Sequence, residues 1–145
     1  MRRSGSGWPG GSGHEGLDTN ILARLLVADD EAQTQAVYRL FKEAEAKKNE
    51  FFVSLPVLLE LFWVLESVYN LPRREILEAV NALTSMSFLK VDSETVPRSL
   101  LDDARKTSCD LSDLLTGHAA AAHAGDAVLS FDKRACRRPL FRQLA

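Results

Sequence analysis

The stretch "NEFFVSLPVLLELFWVLESVY", Asn49 to Tyr69, decides the fold class, because within a few residues it passes from one kind of chain to another. "FFVS" (Phe51 to Ser54) is short, aromatic and β-branched, which suits a strand. Pro56 then fits the first turn of a helix, where its missing N–H has no partner to lose. The helix that follows, "VLLELFWVLESVY", is apolar nearly all round and is expected to be buried. A strand handing over to such a helix is the building unit of a parallel sheet.

The same alternation extends in both directions. Towards the N-terminus, Ile21 to Val27 reads as a short helix. Residues 31–48 read as a longer amphipathic one, with Ala32, Ala36, Val37, Leu40, Phe41 and Ala44 on one face. Towards the C-terminus, "LPRREILEAVNAL" starts a helix with Pro72 near its beginning, and "SFLKV" (Ser87 to Val91) is the next strand. Helices near 94–107 and from Asp110 to Ala124 precede the strand "AVLS", Ala127 to Ser130. This order predicts an α/β fold with a central, mostly parallel sheet and right-handed crossovers that place helices on both faces.

The chain of 145 residues suits one domain. Residues 1–16, "MRRSGSGWPGGSGHEG", lack hydrophobic periodicity and read as a flexible Gly/Ser-rich tail, which leaves residues 17–145 as the folded domain. The first strand then has almost no apolar residue ahead of Asp18. No apolar run approaches the roughly 18 residues that span a membrane. A net charge of −2 excludes a uniformly basic nucleic-acid binder. "DKRACRRPLFR" nevertheless concentrates Lys133, Arg134, Arg137, Arg138 and Arg142 at the C-terminal end. Cys109 and Cys136 show neither zinc spacing nor a disulfide framework, so a reduced, cytoplasmic setting is the simplest expectation. His118 and His123 lie five apart and do not share a helix face.

In parallel sheets, ligands bind beyond the carboxyl ends of the strands. Acids from four stretches of the chain fall there or at the helix starts that follow. Asp18 ends the first strand, where it reads either as the cap of the helix behind it or as a ligand carboxylate with Thr19 or Asn20 left to cap. Glu60 lies early in a helix of apolar neighbours, on a stripe with Val57 and Val64; it either marks a narrow wet edge or needs a partner. Asp110 and Asp113 share a face at a helix start, where capping and the helix dipole explain at least one of them. The small residues Gly117, Ala120, Ala121 and Ala124 continue from Asp113 and suit close packing of this helix on a sheet. Asp132 follows "AVLS" by two residues, where a turn-forming Asp would also serve. Acids this dense repel one another unless a cation or raised pKa values intervene. A set of hard oxygen donors without His or Cys points to Mg²⁺ or Mn²⁺.

The ordered set "GLDTN", "LLELFWVL", "DLSDLLTGHA" and "AVLSFDKRA" resembles the PIN domain, specifically the VapC-type ribonuclease toxins, over about residues 16–145. The resemblance implies a three-layer α/β/α sandwich. It implies that Asp18, Glu60, Asp113 and Asp132 form a catalytic, metal-binding quartet, with Asp110 auxiliary and Thr19 and Ser130 holding the carboxylates in place. It also implies Mg²⁺- or Mn²⁺-dependent endonucleolytic cleavage of RNA, with tRNA or another structured RNA as the expected substrate, by the toxin of a type II toxin–antitoxin pair. Lys133, Arg134, Arg137 and Arg138 would then contact the RNA backbone, and a cognate antitoxin would be a partner. A homodimer is expected, with hydrophobic surface around Phe62, Trp63, Leu77 and Val80. The alternative is a catalytically inactive PIN-fold module that binds RNA or antitoxin. An aspartyl-phosphate phosphatase is disfavoured because Asn20 stands where its second acid belongs.

Overall fold

Ser54, read in the sequence as the last residue of a strand, is instead the cap of the helix that follows: its hydroxyl accepts from the Val57 N–H, and the strand ends at Val53. The computed structural model describes residues 15–123, 125, 127–132 and 140–144. These form two compact units, Met1–Asp92 and Ser93–Ala145.

The first unit runs β1 (Glu15–Gly16), α1 (Thr19–Leu26), α2 (Glu31–Lys47), β2 (Phe51–Val53), α3 (Leu55–Trp63), a π-helical turn (Val64–Val68), α4 (Arg73–Thr84) and β3 (Leu89–Val91). The strands pair in the order β1-β2-β3, all parallel, with Glu15 opposite Phe51 and Phe51 opposite Leu89. The first strand is therefore Glu15–Gly16, inside the stretch read as tail, and the Leu17 N–H extends it by donating to the Phe52 carbonyl at 2.9 Å. Backbone pairing needs no apolar side chain, so sequence pattern does not reveal such a strand. Residues 1–14 lie outside the described residues.

The core of this unit is built from Leu22, Phe41, Val53, Leu58, Leu61 and Ile76 among others, all almost fully buried. Burying each such side chain contributes about 1.5–3 kcal/mol. Phe41 of α2 reaches the sheet, its ring centroid 5.7 Å from that of Phe51 and 4.9 Å from that of Phe88. On α2 the expected face is present through Val37, Phe41 and Ala44, but Ala32 and Ala36 are exposed and Thr34 takes an inward position. Along α3 the buried stripe Leu58, Leu61, Phe62, Leu65 follows α-helical spacing. The π turn then breaks that rhythm, and Val68 is turned out to 56% exposure. Arg24 ties α1 to its surroundings through hydrogen bonds to Gln33 (2.7 Å), Asp29 (3.1 Å) and the Tyr69 hydroxyl (2.8 Å).

The second unit contains α5 (Thr95–Ala104), α6 (Leu111–Ala122), β4 (Val128–Ser130) and β5 (Phe141–Gln143). Its helices pack on each other, and Val96, Leu100 and Leu101 of α5 and Leu111, Leu114 and Leu115 of α6 are buried. β4 and β5 are parallel, with Leu129 opposite Arg142. β5 is absent from the sequence reading, in which its residues belong to the basic C-terminal run. The small-residue stripe on α6 has its expected use at Gly117: a Cβ there would lie 2.8 Å from Leu140 Cβ. No helix among the described residues is long and apolar enough to cross a membrane.

Candidate active site

The acids singled out in the sequence divide between the two units. In the first, Asp18 is itself the N-cap of α1: its extended backbone leads into the helix and Oδ1 accepts from the Thr19 N–H at 2.7 Å. The cap therefore belongs to Asp18 and not to Thr19 or Asn20. Thr19 has another role. Its side chain is buried, and its hydroxyl donates to Glu60 Oε1 at 2.6 Å, across 41 residues of chain. Glu60 is exposed on α3, so the wet-edge reading of its position and the need for a partner are both met. A short hydroxyl-to-carboxylate bond of this kind fixes one oxygen of the acid and leaves its rotamer little freedom.

In the second unit, Asp110 caps α6, with Oδ2 accepting from the Asp113 N–H at 3.3 Å. Asp113 occupies the first turn and is half-buried. Burial pushes its carboxyl above the ordinary range, and the neighbouring charges of Asp110 and then Asp132 push it further. Asp132 follows β4, and its N–H donates to the Ser130 hydroxyl at 3.0 Å, so Ser130 fixes the backbone that carries the acid. Asp110 and Asp132 thus both act on Asp113.

Among the described residues no three His, Cys, Asp or Glu side chains lie close enough together to form a ready metal cage. The donor chemistry still fits a hard divalent ion: the acids are oxygen donors, and the repulsion that raises Asp113 is what a cation would relieve. Lys133, Arg134, Arg137 and Arg138 lie outside the described residues, while Arg142 is exposed on β5.

Three features escaped the sequence reading. His118 Nε2 lies 3.1 Å from Asp103 Oδ2, joining α6 to α5 with both side chains mostly buried. His118 is thus a structural partner and not a ligand, but nothing in its spacing announces Asp103. Cys109, next to Asp110, is disulfide-bonded, which corrects the expectation of reduced cysteines. A single pair is set by tertiary approach and leaves no spacing signature. Finally, of the four side chains expected to form a dimer surface, Phe62, Leu77 and Val80 are buried within the first unit and only Trp63 is exposed. Helical spacing there reports the protomer's own core.

Comparison with known proteins places this geometry in context. A family model described as the PIN domain matches residues 17–139. A curated relative, the VapC ribonuclease of Aquifex aeolicus (strain VF5), is 26% identical over 118 residues, covering 81% of this chain and 87% of its own. No solved structure matches the chain.

Proposed function

Because the chain belongs to the PIN domain family, we propose that it is a metal-dependent endoribonuclease acting as the toxin of a type II toxin–antitoxin pair. The observation that carries this reading is the carboxylate group of the second unit, in which Asp113 is half-buried in the first turn of α6, receives no relief from its capping neighbour Asp110, and feels the charge of Asp132 as well. The similarity to a VapC ribonuclease supports the substrate class. Asp18, Glu60, Asp113 and Asp132 would hold Mg²⁺ or Mn²⁺, with Asp110 auxiliary. The ion supplies positive charge for the scissile phosphate and lowers the pKa of water.

The chain's own groups have distinct tasks. Thr19 and the α1 backbone fix one oxygen each of Glu60 and Asp18. Ser130 sets the turn that presents Asp132. One of these carboxylates would also accept the attacking water's proton. Lys133, Arg134, Arg137 and Arg138 would hold the RNA backbone, giving binding that weakens as salt rises. The partners are RNA, a cognate antitoxin and a second copy of the chain. The folded PIN domain, expected over residues 17–145, is proposed to begin at the strand Glu15–Gly16.

The test is cleavage of tRNA and other structured RNA with Mg²⁺, with Mn²⁺ and with EDTA, alongside Asp18→Asn. Metal-dependent cuts that EDTA and Asp18→Asn both abolish are expected. Intact protein that cuts no RNA with either ion would overturn the reading. One observation favours a second reading, a catalytically inactive module that binds RNA or antitoxin: no ready metal cage exists among the described residues. RNA binding without cutting is its signature.

A further inference from the structure

The two strands of the second unit have unlike faces. Val128 and Ser130 pair with Phe141 and Gln143, all four are half-buried, and on this side Gly117 of α6 lies against the Phe141 ring. Successive side chains of a strand point to opposite faces, so Leu129 and its partner Arg142 share the other side. The Leu144 N–H donates to the Ser130 carbonyl at 2.8 Å and carries the pairing one step further, which brings Phe131 and Leu144 onto that side as well. All four of these residues are exposed, and Phe131, at 72%, is the most exposed large apolar side chain among the described residues. Its backbone is held: the Asp132 N–H donates to the Ser130 hydroxyl at 3.0 Å and closes a turn with Phe131 at its middle. A ring fixed open on a short turn loses little freedom when a ligand lands on it.

Charge and size select the occupant. Arg142 is the only ionisable side chain in residues 127–131 and 140–144, and the chain joining the two strands carries Lys133, Arg134, Arg137 and Arg138 against the single acid Asp132. A second copy of the chain on this face would set Arg142 against Arg142, and like charges oppose such a pairing. A protein partner of another kind needs more apolar surface. A whole aromatic side chain buries about 150–250 Å², so three partly exposed apolar side chains fall well below the about 800 Å² per side of a stable protein interface. RNA fits both features, with a phosphate for the guanidinium and a base for the ring. The bases open to such stacking are unpaired ones, because in a duplex both faces of a base are already covered by its neighbours.

We propose that Phe131 is an RNA-binding residue whose ring stacks on one unpaired base, while Arg142 meets an adjoining phosphate, beside Asp132. The inference rests on the ribonuclease reading above and adds to it a preference for unpaired RNA at this point of the substrate.

The experiment titrates the full-length protein in EDTA, which prevents cutting, with a fluorescein-labelled oligoadenylate and with a labelled RNA duplex of equal length, reading anisotropy at several salt concentrations. The parent is compared with Phe131→Ala, Phe131→Leu, Phe131→Tyr and Arg142→Ala; cleavage with Mg²⁺ or Mn²⁺, melting temperature and mass by light scattering are measured alongside. The parent should prefer the oligoadenylate. Phe131→Ala and Phe131→Leu should each bind that oligomer about tenfold more weakly, with duplex affinity and melting temperature unchanged, and Phe131→Tyr should match the parent. Arg142→Ala should weaken both RNAs and flatten the logarithmic salt dependence for the oligomer by about 0.7, a change that Phe131→Ala does not make. Phe131→Ala that binds like the parent, or Phe131→Leu that binds as well as Phe131→Tyr, overturns stacking, and a parent that still cuts keeps the nuclease reading. A parent whose binding follows the expected pattern but which never cuts supports stacking and sinks the nuclease reading. A change from dimer to monomer in Phe131→Ala, with RNA affinity unmoved, gives the face to a second copy and overturns the proposal.

Discussion

In the first unit Glu60 receives the Thr19 hydroxyl and Asp18 receives a backbone N–H; in the second, burial raises the pKa of Asp113, and the charges of Asp110 and Asp132 raise it further. Both arrangements place carboxylates at strand ends, helix starts or early turns, yet their surroundings differ. Neutral donors stabilise the ionised acid and hold it still. Like charges destabilise it and leave it ready for a proton or a cation. The difference teaches that an acid's sequence position, a strand end or a helix start, does not settle its state. What settles it is whether the fold buries the acid, crowds it with other acids or supplies it with a donor.

The largest effects should come from removing the acids themselves. Glu60→Gln and Asp113→Asn are each expected to lower RNA cleavage by more than about 100-fold, since even the groups supporting a ligand typically cost 10–100-fold when lost. Their stabilities should diverge. In Glu60→Gln the side chain keeps a carbonyl oxygen to which Thr19 can donate, so that variant melts close to wild type. Asp113→Asn instead removes a repelled charge and melts higher at pH 7. Equal shifts in a thermal melt would break the comparison.

Next in size is Gly117→Ala. The new Cβ meets Leu140 Cβ at 2.8 Å, an atom that no rotamer change can move aside, and Phe141 lies close behind. Overpacking of this kind costs about 1–3 kcal/mol, to be read as a lower urea midpoint. Thr19→Val follows, as the counterpart in the first unit. Valine keeps the shape but gives Glu60 no proton, so cleavage should fall about tenfold while Thr19→Ser retains it. Full activity in Thr19→Val would show that Glu60 needs no fixing.

Much of this was legible in the sequence, and the exceptions have physical reasons. "FFV", "LKV" and "VLS" are strands because aromatic and branched residues suit a pleated surface, and all three form at the expected places. β1 was invisible because Glu15 and Gly16 join the sheet through backbone bonds alone. β5 hid because Arg142 breaks a three-residue strand with a charge that points to solvent. Ala32 and Ala36 misled because alanine buries too little area to choose a side of a helix. Asp18, Glu60 and Asp113 stood out as acids beside apolar runs. That Thr19 would reach Glu60, or His118 reach Asp103, depends on approach across many residues, which spacing does not encode.

The smallest effect separates the two units most directly. An acid whose folded-state pKa lies above its unfolded value binds its proton more tightly when folded. Its favourable contribution is present at low pH and is lost as pH rises from the unfolded through the folded pKa. Asp113 is such a group, raised first by burial and then by Asp110 and Asp132. Urea midpoints measured between about pH 4 and pH 7 should therefore carry a component that falls with rising pH and disappears in Asp113→Asn. A divalent cation held by these acids would oppose the same repulsion, so Mg²⁺ or Mn²⁺ should stabilise the wild type more at pH 7 than at acid pH, and EDTA should reverse the gain. Asp113→Asn should respond less to the ion. A pH profile that Asp113→Asn leaves unchanged would mean that the three acids of the second unit do not act on one another, and the contrast with the hydrogen-bonded pair of the first would be lost.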